Sequence, residues 1–167
     1  MIACDRGNLS TVCTLLAAGA DAALRNVKHT SALDLAALSG HIPVMRALVE
    51  HGVDVQATVP SGLTVLHLVA QFGTAAAVDV LVDAGADVDF KTPCGKTPLV
   101  LTARFAKFKS TLALLRRGAK INEPDHRGAT ILHNTCSNYL HSGAAAVIDR
   151  LLRWGASETA VDEDGHT

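Results

Sequence analysis

Apolar residues recur along the chain in short groups with helical spacing, and these groups come in pairs. The first group of a pair begins at a leucine, and a small residue follows one turn later, as with Leu66 and Ala70. The second group places aliphatic side chains three or four positions apart, as with Val78, Leu81 and Val82. Such spacing brings each group to one face of a helix. The pattern therefore predicts pairs of short amphipathic helices.

Polar residues and glycines mark where these helices begin and end. A hydroxyl side chain before each first helix can accept a hydrogen bond from a free backbone N–H. These hydroxyl residues are Ser31, Thr64, Thr97 and Thr130. Pro98 takes the first helical position, where its missing N–H costs nothing. Glycine ends helices by adopting positive φ, and we expect this at Gly40 and Gly73 after first helices and at Gly85 after a second helix.

Two of these markers repeat with one period. Thr64, Thr97 and Thr130 are 33 residues apart. The glycines that end second helices keep the same step, at Gly19, Gly52, Gly85 and Gly118. The letters T-V-L-H that begin at Thr64 return as T-P-L and then as T-I-L-H. A period of about 33 residues with a T-P-L-H-like start is typical of the ankyrin repeat. Over essentially its whole length the chain therefore resembles the ankyrin-repeat family.

The resemblance implies an all-α fold, an ankyrin-repeat solenoid of stacked helix-turn-helix units with β-hairpin-like fingers. One such domain would fill residues 1–167. Its units would be a partial repeat at 1–25, full repeats at 26–58, 59–91, 92–124 and 125–158, and the start of a further repeat at 159–167. Because both ends fall inside a repeat, we expect a fragment of a longer array. The first unit would lack its usual neighbour, so we expect Ile2, Val12 and Leu15 to be partly exposed.

Composition narrows the class of protein. Aromatic residues make up only 4% of the sequence, so the core must be built from Ala, Leu and Val. The net charge of −1 does not indicate a nucleic-acid or membrane binder. The four cysteines form no C-x-x-C pair, which argues against a disulfide framework and favours a reducing compartment. With no apolar run near ~20 residues and no signal segment, we predict an intracellular, cytoplasmic location and leave a nuclear one open.

The residues that could carry chemistry have structural interpretations. His67 and His133 occupy the histidine position of the motif, and in the family this histidine hydrogen-bonds to the backbone of a neighbouring loop. The other histidines fall at scattered repeat positions, which argues against a metal site. Cys4 and Cys136 share the register of buried alanines, whereas Cys94 falls at a finger tip. Since no phosphate loop or nucleophile–base motif is found, we predict no cofactor and no enzyme activity.

A partner-binding surface is predicted from the family's concave face, which is formed by the fingers and the first helices. Phe72 and Phe105 are one period apart on that face, and they are either an exposed anchor or rings half-buried between helices. The unit 92–124 has seven basic residues and one acidic residue, or +6. An acidic protein or peptide segment with one apolar anchor would fit this surface. The predicted binding residues are Leu63, Gln71, Phe72, Lys91, Lys96, Arg104, Phe105, His126, Arg127 and Asn138.

Three classes of function remain open on the sequence. The resemblance favours a non-catalytic protein–protein interaction module that acts through its concave face, without a small-molecule substrate or a membrane. An alternative is a targeting or regulatory repeat domain of a larger enzyme whose catalytic domain lies outside this chain. A weaker alternative is nucleic-acid binding through the basic unit 92–124, which would depend steeply on salt.

Overall fold

The computed structural model describes residues 1–105, 107–137 and 144–167, and for Arg104, Ala144 and Ala146 it describes the backbone alone. Ten α-helices lie in these ranges. In chain order they are α1 (Ile2–Asp5), α2 (Leu9–Ala17), α3 (Ala32–Leu38), α4 (Ile42–Glu50), α5 (Val65–Phe72), α6 (Ala75–Asp83), α7 (Pro98–Arg104), α8 (Phe108–Arg116), α9 (Ile131–Cys136) and α10 (Ala144–Arg153).

The helices stack in two layers. Each odd-numbered helix packs on the next odd-numbered one, and α2, α4, α6 and α8 pack on one another in the same way. The core lies between the layers and consists of aliphatic residues such as Leu66 and Leu99 from the first layer and Leu81 and Leu114 from the second. A single pair of helices could not bury this surface alone, so neighbouring pairs complete one another. The predicted all-α solenoid of stacked helix pairs is therefore confirmed.

Each predicted cap residue begins its helix. The hydroxyl of Ser31 accepts a hydrogen bond of 3.1 Å from the Asp34 N–H, and the Asp34 carboxylate accepts one of 2.8 Å from the Ser31 N–H. Thr64 forms the same reciprocal box with His67 in place of the carboxylate. Thr97 caps α7 by accepting a bond from the Val100 N–H. These bonds satisfy backbone donors that a short helix would otherwise leave without partners.

Five short turns, which we call fingers, stand between the helix pairs or after the last one. They comprise residues 26–30, 59–63, 92–96, 125–129 and 162–166, and in each the first N–H bonds to the last carbonyl. Strand-like pairing in the described residues is limited to two isolated bridges. Neighbouring fingers lie against each other so closely that a side chain at Gly62 would collide with Pro93, and one at Gly95 with His126. Glycine at these positions therefore lets the fingers stack.

The expected glycine conformations are confirmed at Gly40 and Gly85, where φ is +73° and +90°, but the expectation for Gly73 is wrong. Gly73 has φ −85° and extended ψ, and its N–H bonds to the Val69 carbonyl at 2.8 Å. A side chain here would have its Cβ 2.9 Å from Val69. The position requires glycine because of this close approach to α5, not because of positive φ.

Two predictions about burial are also wrong. Ile2 and Leu15 are exposed as expected, but Val12 is buried, because it faces the core beside Cys4. Cys136 is exposed although Ala37 and Ala70, in the same register, are buried. No helix follows α10 in the described residues, so one side of α9 faces solvent there. None of the described helices has the length and apolar character needed to cross a bilayer.

Candidate partner-binding face

An exposed pair of aromatic rings lies at the ends of α5 and α7. Phe72 is the last residue of α5, and Phe105 directly follows the last residue of α7. Because these helices are neighbours, the ring centroids are 5.5 Å apart, with an angle of 53° between the ring planes. Phe72 is 56% exposed and Phe105 is 36% exposed. Of the two interpretations left open by the sequence, exposed rings agree with this geometry.

Lys96 and Lys91 differ in what they contact. Lys96 closes the finger 92–96; its N–H donates to the Thr92 hydroxyl at 3.1 Å, and its carbonyl lies 3.2 Å from His67 Nε2. No carboxylate of a described residue lies within ion-pair distance of its ammonium group. Lys91 Nζ lies 2.8 Å from Glu123 and also donates to a backbone carbonyl. The hydrogen bond from the Lys91 ammonium to the Glu123 carboxylate lowers the pKa of Glu123. The charge of Lys91 therefore already has a partner.

The predicted residues on finger 125–129 connect neighbouring fingers. The Arg127 guanidinium lies 2.6 Å from the Asp164 carboxylate, and the Arg127 carbonyl accepts a bond from the Glu163 N–H. The His126 ring stands over Gly95, and the backbone N–H of His126 donates to the Cys94 carbonyl. Both residues are exposed, but the Arg127 guanidinium and the His126 backbone N–H already have partners within the chain. They form the rim of the face rather than its centre.

The remaining predicted residues have different positions. Gln71 is partly exposed next to Phe72, and Leu63 is half-buried at the end of finger 59–63. Arg104 is the last residue of α7, one position before Phe105, and its side chain is outside the description. Asn138 lies outside the described residues. The structure thus brings Phe72, Phe105, Gln71 and the backbone of Arg104 to the same end of two adjacent helices.

A groove of about 710 Å³ runs between the last three fingers and α9. Its wall includes Asp162, Asp164 and His166, which the sequence analysis did not select, and their ligand atoms lie within 4.8 Å of one another. The Asp162 carboxylate accepts the N–H groups of Asp164 and His166, and the bond from His166 lowers the pKa of Asp162. Asn26 makes the equivalent bonds within its own finger. The bonds of Asp162 are therefore explained as those that shape a finger. Asp162 begins its finger as Asn26 does, and this shared position was the sequence signal that could have identified its role.

The two motif histidines have the structural role that the resemblance implied. His67 is buried; its Nδ1 accepts from the Thr64 N–H, and its Nε2–H donates to the Lys96 carbonyl at 3.2 Å. His133 repeats these bonds and reaches the His166 carbonyl at 2.9 Å. Each histidine therefore ties a first helix to the next finger. Burial lowers the pKa of His67, because the charged imidazolium would lose its hydration.

The charge of the unit 92–124 has a partner in the unit before it. The Arg117 guanidinium lies 3.0 Å from Asp79 and 2.7 Å from Asp83, both on α6. The hydrogen bonds to these two carboxylates raise the pKa of Arg117, and the bond to Asp79 contributes most. The carboxylates come from the unit 59–91, which carries one basic and four acidic residues, or −3. Some of the opposite charges of the two units therefore form ion pairs that connect the units.

Comparison with known proteins gives one family. The sequence matches the family model described as "Ankyrin repeats (3 copies)" over residues 1–92 and again over residues 66–162. Together the two matches span almost the whole chain. No curated protein matches the sequence.

Proposed function

The chain belongs to the ankyrin-repeat family, and from this premise we propose that it binds a protein or peptide partner through the concave face of its solenoid. Ankyrin repeats are generally protein–protein interaction modules and are typically non-catalytic. The observation that supports this surface is the pair Phe72 and Phe105, whose rings touch and remain exposed. Rings that remain in water add little to the buried core that stabilises the solenoid, so their exposure favours a role in binding.

The rings supply apolar area that a partner can remove from water. Aromatic side chains are enriched among the residues whose truncation costs interfaces the most. Two rings in contact form one patch, so a single apolar side chain of the partner can touch both. A pair of separated rings would need two anchors at a fixed spacing. We therefore propose that the partner contributes one apolar anchor.

The charged residues around the rings favour an acidic partner segment. Lys96 closes the neighbouring finger, and Arg104 directly precedes Phe105. In the unit 92–124 the only acidic residue is Glu123, which is paired with Lys91. Cations beside an apolar patch accelerate association with an acidic segment and fix its register. Lys91 and Arg127 stand at the rim, where their own ion pairs reduce their attraction for an acidic partner.

Two further assignments remain proposals. The division into a partial repeat at 1–25, four full repeats and the start of another at 159–167 rests on the sequence period. The intracellular, cytoplasmic location rests on the use of cysteine, since Cys4, Cys13, Cys94 and Cys136 are all free thiols.

The proposal is tested by capturing partners with the parent chain and with Phe105→Ala, followed by binding measurements on each protein recovered. Removing one good anchor costs about 2 kcal/mol, or roughly a thirtyfold loss of affinity. Arg104→Glu should weaken binding as well, since it reverses a charge beside the patch. Leu9→Ala is the matched control, because Leu9 is 39% exposed but lies on α2, in the other helical layer.

Circular dichroism and melting curves on the same samples separate binding from folding. If Phe105→Ala and Arg104→Glu fold and bind as the parent chain does, the concave-face assignment is wrong. The segment 139–141, which lies outside the described residues, then becomes the next candidate.

A further inference from the structure

A second groove lies on the opposite helical layer, between α8 and α10. It has a volume of about 390 Å³ and is lined by Leu112, Asp149, Arg150, Arg153 and Trp154. Trp154 directly follows α10 and is 44% exposed. An exposed tryptophan beside a half-buried leucine gives this groove an apolar floor.

One contact between the two helices and one ion pair within α10 hold the basic side chains of the groove in place. The Arg150 guanidinium carbon lies 4.2 Å from the centre of the Phe108 ring, a cation–π contact that joins α10 to α8. Within α10, Arg153 Nε lies 3.0 Å from Asp149 Oδ2 one turn earlier. The cationic groups of Arg150 and Arg153 are therefore presented along one wall.

The face of α8 that carries the lining residue Leu112 is also basic. Lys109 lies three residues before Leu112 on α8, and Arg116 lies four residues after it, so all three share one helix face. Lys109 and Arg116 are both exposed. Two cationic side chains, Arg150 and Arg153, thus line the groove with one carboxylate, which Arg153 already pairs, and the helix face beside it adds two more cations. Arg117 does not add to this charge, because it is paired with Asp79 and Asp83.

We propose that this groove is a second docking surface, which binds an acidic peptide segment of a protein partner and places one apolar side chain against Trp154 and Leu112. The site goes beyond the concave-face function, since it lies on the second helices rather than on the fingers. Charge complementarity selects an acidic occupant. The carboxylate of Asp149 favours a peptide over a nucleic acid, because it can accept a backbone N–H, a donor that a phosphate backbone lacks.

The chain offers a direct reporter, because Trp154 is its only tryptophan. The probe is the synthetic peptide acetyl-GEDFDEG-amide, titrated against the whole chain while the tryptophan emission is recorded. We expect a saturable blue shift below about 1 mM peptide, since the probe's phenyl ring removes water from the indole. The basic peptide acetyl-GKKFKKG-amide and a short single-stranded oligothymidylate are titrated in parallel. No saturable shift with the acidic peptide, or an equal or larger shift with either other probe, would overturn the proposal.

Variants then place the site. With the acidic peptide, Arg153→Glu should weaken binding about tenfold or more, because it reverses one wall charge, and Arg153→Lys should retain most of the affinity. Phe105→Ala should leave this titration unchanged, since Phe105 lies on the other layer. Arg153 is largely exposed, so its replacement should not unfold the chain, and melting curves verify this. Binding that survives Arg153→Glu, or that is lost with Phe105→Ala, would assign the peptide to another surface.

Discussion

The two ends of helix α5 behave differently, although they are only five residues apart. His67, in its first turn, has no exposed surface and ties the helix to finger 92–96. Phe72, at its last position, is 56% exposed and touches only the matching ring of the next unit among the aromatic residues described. The first turn therefore belongs to the scaffold, while the last turn is available to a partner. Substitutions in the first turn should change stability, and those in the last turn should change binding.

The largest effect is expected from Leu66→Ala in the first turn of α5. Leu66 is fully buried, so its truncation leaves a cavity and should lower the free energy of unfolding by about 2–5 kcal/mol. Phe72→Ala is the matched control at the other end of the same helix. It removes a larger side chain, but one that is 56% exposed, so it should cost less than Leu66→Ala: the ring–ring contact of about 0.5–1.5 kcal/mol and the burial of part of one ring. Urea unfolding measures both, and equal losses would erase the distinction between the two turns.

Gly85 is a second position where we expect a substitution to change stability, and it lies in the layer of α2, α4, α6 and α8. Gly85 follows α6 with φ +90°, and no atom lies near where a Cβ would stand. The cost of Gly85→Val is therefore backbone strain of about 1–3 kcal/mol, without a steric clash. Gly85→Asn should cost much less, because Asn tolerates the left-handed conformation. A thermal midpoint that is the same for the parent and for Gly85→Val would show that this turn does not depend on positive φ.

The buried histidine predicts how stability changes with pH. Burial lowers the pKa of His67 in the folded state, whereas the unfolded imidazole titrates near its ordinary value of about 6.5. The stability that neutral His67 contributes is complete above that pH and is lost as pH falls below it. One such group accounts for at most about 1.4 kcal/mol per pH unit. His67→Gln should flatten the decline between about pH 6.5 and pH 5 in urea unfolding; parallel declines in the two proteins would contradict this origin.

The smallest effect is expected from the rim of the concave face. Lys91 is paired with Glu123, so Lys91→Ala should change affinity for a captured partner about threefold or less and act mainly on the association rate. Lys96 has no described carboxylate partner, so Lys96→Ala should cost more. Surface plasmon resonance at two salt concentrations gives both rates. A larger loss with Lys91→Ala than with Lys96→Ala would move the centre of the site to the rim.

The scaffold could be predicted from the sequence because the signals that define the helices lie within each unit. Caps, aliphatic spacing and terminal glycines are local signals, and they recur with one period, so the order of the helices followed from them. The structural role of His67 was implied by the resemblance to the family. Gly73 shows the limit of this reasoning. It carries the same letter as Gly40, but close approach to Val69 rather than positive φ is what requires it.

The candidate site was less predictable, because register gives positions and not partners. Arg127 pairs with Asp164 from 37 residues away, and Arg117 bonds to Asp79 from 38 residues away. These pairs depend on how the units stack, which a single unit's sequence does not contain. Trp154 and Arg150 were missed for the same reason, since their groove exists only where α10 packs on α8. The exposure of Phe72 and Phe105 also required the stacked structure.

Amide hydrogen exchange of the chain, free and bound to a captured partner, shows whether one surface, formed by the last turns of α5 and α7 and by finger 92–96, holds the partner. We expect slower exchange on binding at residues 71–73, 92–96 and 103–105, with no change in helix α2. Unchanged exchange in those three segments, together with protection elsewhere in the chain, would contradict this expectation.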